Sequence, residues 1–258
     1  MYFNNTRHSA NGLSNPGHFR PRPVLAIMHQ EHSSAGHVGT WLTAHGFSLD
    51  IRRPRFGDPL PENLDGHVGA IMFGGPQSAN DNDDFIRREI DWIGVALKED
   101  KPFLGICLGA QMLALHLGAE VHTHRQALVE RGYHPIQPTN QGKAAMDWPD
   151  RVYQWHEEGF TAPQTSVVLA EGQNFRNQAF RHGSAVALQF HPEITKSAII
   201  RLASRSMSQA LRPRACSAST HLVDHCHYGP RQRQWLGDFM EKWIGLGEPK
   251  SDPLPVAA

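Results

Sequence analysis

The chain has 258 residues, enough for one large domain, because chains of this length bury roughly 70–75% of the surface that they expose when unfolded. Its 25 basic and 25 acidic residues give a formal net charge of zero, so electrostatics gives no reason to expect nucleic acid or a membrane as a partner. With three cysteines, too few for a disulfide framework, and no apolar run near the roughly 20 residues of a transmembrane helix, we expect a soluble, cytoplasmic protein.

The N-terminal half of the chain alternates apolar runs with amphipathic stretches. Residues 1–22 lack periodicity and are predicted to form a flexible arm. Strands are predicted over residues 24–28, 48–51 and 68–73, helices over residues 36–45 and around the spaced side chains Ile86, Ile90, Ile93 and Leu97, and a loop over residues 54–66. Short buried strands that alternate with helices indicate an α/β fold with a mostly parallel central sheet flanked by helices.

The C-terminal half shows a different pattern. Short strand-like pieces occur after Gly118 and indicate a small β-ribbon subregion; they span residues 132–137, 152–155, 167–170, 178–181 and 185–190. Helical character returns at Thr195, and Trp235, Phe239 and Trp243 form a stripe that packs a terminal helix onto the sheet or, alternatively, binds a partner. Residues 249–258 are predicted to fray, which leaves residues 23–248 as one domain.

Cys107 ends an apolar run and is flanked two residues away on each side by Gly105 and Gly109. This pattern is typical of a nucleophile elbow, in which a strand turns sharply into a helix and presents the central side chain at the edge of the sheet. The positive end of the helix dipole then favours a thiolate. A cysteine in an apolar run is also commonly an inert core residue, so the elbow alone does not decide its role.

His191 and Glu193 follow the apolar stretch 185–190. If the strand continues, alternation places both side chains on one side with Cα atoms about 6–7 Å apart, within reach of a hydrogen bond. Glu193 would then orient His191, and His191 would act as a base toward Cys107 and as an acid toward a leaving amine. By itself, His-Pro-Glu also fits a simple strand-terminating turn.

Gly74-Gly75-Pro76 follows another predicted strand, so its turn opens at the same edge of the sheet, where ligands collect in such folds. A glycine there allows a backbone N–H to point at a developing oxyanion. The N–H groups of Gly75 and Leu108 would form a two-donor oxyanion hole. An ordinary turn is the alternative.

The three segments together, in this order, resemble those of class I glutamine amidotransferase domains, which have a flavodoxin-like fold. The segment around His191 is most similar to the glutaminase part of GMP synthase, and the resemblance covers roughly residues 24–195. It implies a triad of Cys107, His191 and Glu193 that attacks the side-chain amide of glutamine, forms a glutamyl thioester and releases ammonia, with Gly75 and Leu108 as the oxyanion donors.

The resemblance also implies substrate contacts. It places Gln111 at the substrate amide, and Trp155 and His156 near the backbone of the bound glutamine. Trp155 and His156 are equally well explained as a packed indole and an edge histidine of a strand. No cofactor and no metal are expected.

The sequence contains neither the Ser-Gly-Gly-Val-Asp-Ser loop of an ATP-pyrophosphatase domain nor a Walker-type phosphate loop. We therefore expect either a subunit that supplies ammonia to an ATP-dependent synthetase or a hydrolase that acts on a γ-glutamyl compound with water as acceptor. A non-catalytic regulatory protein that retains the fold is the third alternative.

Two other groups contain metal-binding residue types. His225-Cys226-His227 follows Cys216 by about ten residues, and His122 and His124 have the spacing of a strand face. The first spacing matches no common zinc pattern, and surface positions explain both groups more simply.

Overall fold

A nine-stranded sheet forms the centre of the protein in a computed structural model that describes residues 22–206 and 218–245. The predicted C-terminal tail, Cys216 and all of the predicted N-terminal arm except Arg22 lie outside the described residues. The domain boundaries at residues 23 and 248 therefore stay a prediction.

The strands of the described ranges differ in length. In chain order they are β1 (Arg22–Ile27), β2 (Phe47–Arg52), β3 (Ala70–Met72), β4 (Phe103–Ile106), β5 (Val121–Thr123), β6 (Glu130–Pro138), β7 (Arg151–His156), β8 (Glu158–Phe160), β9 (Val167–Gly172), β10 (Asn177–His182) and β11 (Ala185–Leu188). The sheet order is β2-β1-β3-β4-β11-β10-β9-β6-β7, and β5 pairs with β8 in a separate two-stranded sheet. The first five strands of this order, β2, β1, β3, β4 and β11, are parallel to one another. From β11 onward, through β10, β9, β6 and β7, neighbouring strands are antiparallel.

Helices cover both faces of the sheet. They are α1 (Gly36–Ala44), α2 (Asp84–Lys98), α3 (Leu108–His116), α4 (Asn140–Ala145), α5 (Lys196–Ser206) and α6 (Ala218–Gly245), with a 3₁₀ turn over Pro54–Phe56. None of the helices within the described ranges has both the length and the apolar composition needed to cross a membrane.

Alternation along the central strands builds two cores. In β1, Val24 and Ala26 belong to the core that contains buried residues of α1 and α6, whereas Leu25 and Ile27 belong to the core that contains those of α2 and α3. Strands β4 and β11 are buried throughout, as expected for central parallel strands covered on both faces. The predicted α/β fold with a mostly parallel centre is confirmed.

The aromatic stripe of α6 lies inside the protein. Trp235, Phe239 and Trp243 are buried in the same core as α1, so they pack the helix onto the sheet as predicted. The alternative, an exposed stripe that binds a partner, is wrong because these side chains are inaccessible.

All five predicted ribbon strands pair antiparallel with one another, but they extend the central sheet instead of forming a separate unit. Strands β5 and β8 form the small separate sheet, and they were not predicted because three residues are too few to show alternation. The short helix α4 was missed for the same reason of length.

The two groups of metal-binding residue types are not gathered into a site. His225 lies within α6, and its Nδ1 is 2.8 Å from the hydroxyl oxygen of Tyr133. His122 is exposed in β5, and the ring of His124 packs against Phe175. In the part of the chain that the structure describes, no group of three or more His, Cys, Asp or Glu side chains is arranged to hold a metal ion.

Candidate active site

Cys107 occupies the sharp turn between β4 and α3. Strand β4 ends at Ile106 and α3 begins at Leu108, so a single residue makes the turn. Its backbone adopts φ 51° and ψ −104°, a conformation that residues other than glycine rarely take. Strained backbone of this kind persists where surrounding packing enforces it and is found disproportionately at functional sites.

The packing that enforces this turn requires both flanking glycines. A Cβ atom on Gly105 would lie 2.5 Å from the carbonyl oxygen of Gly109. A Cβ atom on Gly109 would in turn collide with the carbonyl oxygen of Met72 at the end of β3. The glycines therefore allow α3 to approach β3 and β4 closely enough to hold Cys107 at the edge of the sheet.

His191 and Glu193 lie in the turn after β11. The strand ends at Leu188, so the expected strand alternation through residue 193 is wrong. The expected contact is nevertheless present: Nδ1 of His191 lies 2.8 Å from Oε1 of Glu193. The backbone of Glu193 is held by α1, since the N–H of His37 donates to the Glu193 carbonyl at 2.9 Å.

The charged neighbours of His191 control its protonation. Burial acts to lower the pKa of the imidazole, but the Glu193 carboxylate and Cys107 outweigh burial and hold the pKa well above its usual range. Nε2 of His191 is buried and makes no hydrogen bond of ordinary geometry with the described residues. The site therefore favours an imidazolium beside the sulfur.

The loop after β3 lies directly beside these residues. A Cβ atom on Gly74 would lie 2.9 Å from Cε1 of His191 and 3.4 Å from Cβ of Cys107. A Cβ atom on Gly75 would lie 2.9 Å from a methyl carbon of Leu108. The structure thus brings Gly75 and Leu108, the two expected oxyanion donors, next to each other and to the thiol.

The three residues expected to contact the substrate, Gln111, Trp155 and His156, have different surroundings. Gln111 is buried in α3, where its Nε2 donates to the carbonyl of Glu158 at 2.9 Å. The carbonyl oxygen of Trp155 lies 4.0 Å from Sγ of Cys107, so Trp155 reaches the site through its backbone. Its indole ring instead lies under the guanidinium of Arg131.

Both ring nitrogens of His156 have partners within the protein. Its Nδ1 lies 2.8 Å from the carbonyl oxygen of Glu158, and its Nε2 lies 3.1 Å from a carboxylate oxygen of Glu130. Burial acts to raise the pKa of Glu130, but the hydrogen bond and charge of His156 outweigh it and lower the pKa. Both ring nitrogens are engaged inside the protein, and this geometry does not support the expected substrate contact.

A buried pair behind the Gly74–Gly75 loop was not predicted from the sequence. His29, just after β1, and Glu89 in α2 are both fully buried, and Nε2 of His29 lies 2.7 Å from Oε2 of Glu89. Nδ1 of His29 lies 3.4 Å from the Gly74 carbonyl, and its Cβ lies against Gly75. A signal was present in the sequence: Glu89 falls between Ile86 and Ile93 on the apolar face of its helix.

Comparisons with known proteins agree on one family. The family model described as glutamine amidotransferase class-I matches residues 42–200. The glutamine amidotransferase-like protein YfeJ of Salmonella typhimurium is 29% identical over 197 residues, which cover 72% of this chain and 82% of that protein. A glutamine-hydrolysing GMP synthase subunit of Thermoplasma volcanium is 29% identical over 137 residues, 51% of this chain and 65% of that protein.

A solved structure extends the similarity to most of the chain. The crystal structure of a glutamine amidotransferase from Thermotoga maritima superimposes with a TM-score of 0.78 at 28% sequence identity. The superposition covers 88% of this chain and 99% of that one. The overall fold of this chain is therefore shared with that protein.

Replacement of Glu89 by alanine should destabilise the protein by about 3–5 kcal/mol, because it leaves His29 buried without its partner. The effect is measured as the change in the free energy of unfolding in urea, provided that the m value, the dependence of this free energy on urea concentration, is the same in both proteins. Asp91→Ala is the matched control, since Asp91 is exposed on the same helix. Equal losses in the two variants would contradict a stabilising role for the pair.

Proposed function

The chain belongs to the class I glutamine amidotransferase family, and from that premise we propose that it hydrolyses the side-chain amide of glutamine with Cys107 as the nucleophile. The observation that carries the proposal is the 2.8 Å contact between His191 and Glu193, placed beside a cysteine in a strained elbow. A nucleophile, a base and an orienting carboxylate in this arrangement fit acyl transfer through a covalent intermediate.

The first step is attack of the thiolate on the amide carbon. The C–S bond forms, and negative charge develops on the former amide oxygen. The N–H groups of Gly75 and Leu108 would stabilise that oxyanion, each contributing about 3–4 kcal/mol in typical acyl-transfer enzymes. The loop packing of Gly75 against Leu108 supports this assignment.

Collapse of the tetrahedral intermediate breaks the C–N bond. The imidazolium of His191 donates its proton to the departing nitrogen, so ammonia leaves and a glutamyl thioester remains on Cys107. Neutral His191 then removes a proton from water, and the resulting attack on the thioester releases glutamate and regenerates the thiolate–imidazolium pair. Glu193 keeps the ring oriented through both steps.

The ammonia is proposed to pass to an ATP-dependent synthetase. Support comes from the similarity to a protein named as one subunit of a glutamine-hydrolysing GMP synthase, a name that implies a division of labour between subunits in that enzyme. The synthetase would activate the acceptor, since the sequence of this chain contains no Walker-type phosphate loop of its own.

Replacement of Cys107 by alanine should lower kcat for glutamine hydrolysis by more than about 10⁴-fold, because no other group can form the thioester. Release of glutamate and ammonia measures the effect, and circular dichroism checks the fold. Cys226→Ala is the control, since this thiol is exposed and lies in α6. Wild-type activity in the Cys107 variant would refute the proposed nucleophile.

Replacement of Glu193 by glutamine should move the alkaline limb of the kcat/KM profile to lower pH. Burial already acts against the charged ring, and without the carboxylate only Cys107 still raises the pKa of His191, so the imidazolium loses its proton at a lower pH. We also expect kcat to fall on the order of 10²–10⁴-fold. The exposed Glu241→Gln provides the control, and an unmoved limb would argue against the triad.

Glutamine should be preferred over γ-glutamyl dipeptides by more than about tenfold in kcat/KM, since an extra residue on the leaving nitrogen must fit into a confined site. Cys107 is buried, with Gly74 and the carbonyl of Trp155 close by. A panel of both substrates assayed for glutamate release tests this. A strong dipeptide preference would instead indicate a γ-glutamyl peptide hydrolase.

A further inference from the structure

Strand β7 runs past the proposed catalytic residues. Within residues 22–206 and 218–245 it is an edge strand of the sheet and its strand partner is β6, where Tyr153 lies opposite Tyr133. Backbone groups on such an edge need other partners when they are buried. The Tyr153 carbonyl accepts from the N–H of His191 at 2.8 Å, so the catalytic segment takes the place of a neighbouring strand at this point.

Gln232 of α6 completes this pairing. Its Oε1 accepts from the N–H of Tyr153 at 2.8 Å, and its Nε2 donates to the carbonyl of His191 at 2.9 Å. A glutamine side chain has both an acceptor and a donor on one planar amide, as a peptide group does. Tyr153, His191 and Gln232 therefore form a closed ring of three hydrogen bonds, and Gln232 is almost completely buried.

The core fixes the position of Gln232. Trp235 and Leu236, one turn further along α6, are buried in the core shared with α1. The adjacent residues Arg233 and Gln234 are exposed, so Gln232 is a polar residue on the apolar face of its helix. The side-chain amide of Gln232 is therefore buried beside Trp235 and Leu236, and its two hydrogen bonds fix its orientation.

The ring of hydrogen bonds holds the backbone of His191 on both sides. Its N–H is held by Tyr153, its carbonyl by Gln232, and the following Pro192 restricts its backbone to extended conformations. Glu193 holds only the imidazole. Because β11 ends three residues earlier, His191 lies beyond the strand. Its carbonyl also accepts from the N–H of Ile194 at 3.4 Å, and Gln232 adds the shorter hydrogen bond at 2.9 Å.

We propose that Gln232 is a positioning residue for the base His191, holding its main chain so that the imidazole stays directed at Cys107. This inference rests on the proposed function. It assigns a role to a residue outside residues 42–200, the part of the chain matched by the family model. Gln232 itself touches neither the thiol nor the substrate.

Two substitutions test the bridge. Gln232→Ala removes both hydrogen bonds and most of the side chain. Gln232→Met also removes the acceptor for Tyr153 and the donor to His191, but keeps nearly the same length and shape. We expect both variants to lose kcat on the order of 10²-fold with KM nearly unchanged, since displacement of a catalytic group by about 1 Å has that effect.

Gln234→Ala is the matched control, because it removes the same side chain from an exposed position two residues away. Alkylation of Cys107 by iodoacetamide, followed by mass spectrometry of its peptide, is the second readout and needs no substrate. We expect slower alkylation in both Gln232 variants and the wild-type rate in the control. Circular dichroism gives the folded fraction for normalising kcat.

The outcomes separate a positioning role from a structural one. A lower melting temperature with wild-type kcat per folded molecule would overturn the proposal, and so would wild-type kcat in Gln232→Met. If Gln232→Ala does not fold, the isosteric variant still decides. An inactive wild-type protein, or activity that survives Cys107→Ala, would contradict the proposed function, whereas an active wild type with unaffected Gln232 variants would contradict this inference alone.

Discussion

The turn at Cys107 is the constraint on which the rest of the site depends. A non-glycine residue at φ 51° is kept there because β4 and α3 are both locked into the buried centre of the sheet. Because Gly109 of α3 packs closely against the Met72 carbonyl, the end of β3 lies beside α3. The loop that follows β3 therefore lies against Cys107. Backbone packing therefore positions the proposed nucleophile and the proposed oxyanion donors together.

Among the histidine–carboxylate pairs of the described residues, three lie around the site, and their surroundings differ. His29–Glu89 and His156–Glu130 are almost completely excluded from solvent, with side-chain exposures of 0%/0% and 2%/2%. His191–Glu193 is the pair that keeps some access, at 12% and 13%, and it is the one beside a thiol. The first two connect buried loops and strands around the site, whereas the third is the pair proposed to transfer protons.

Sequence patterns predicted those features of the structure that depend on residues close together in the chain. The glycine spacing around Cys107 predicted the elbow, and the helical spacing from Ile86 to Leu97 predicted α2, because both depend on neighbours within a few turns of backbone. The contact of His191 with Glu193 was also expected, although a turn and not a strand produces it. Strands β5 and β8, of three residues each, were not predicted, whereas the equally short β3 was predicted because it lies within a longer apolar run.

The amino-acid sequence by itself determined the alternation of strands and helices, the sharp turn at the thiol and the pairing of an imidazole with a carboxylate two residues away. Only the tertiary structure decided that Glu89 contacts the histidine beside Gly74, that the ring nitrogens of His156 meet Glu158 and Glu130, and that Gln232 pairs with Tyr153 and His191. Hydrophobic periodicity shows that a face is buried but not what it meets. A polar residue on such a face acquires its partner only when distant parts of the chain pack together.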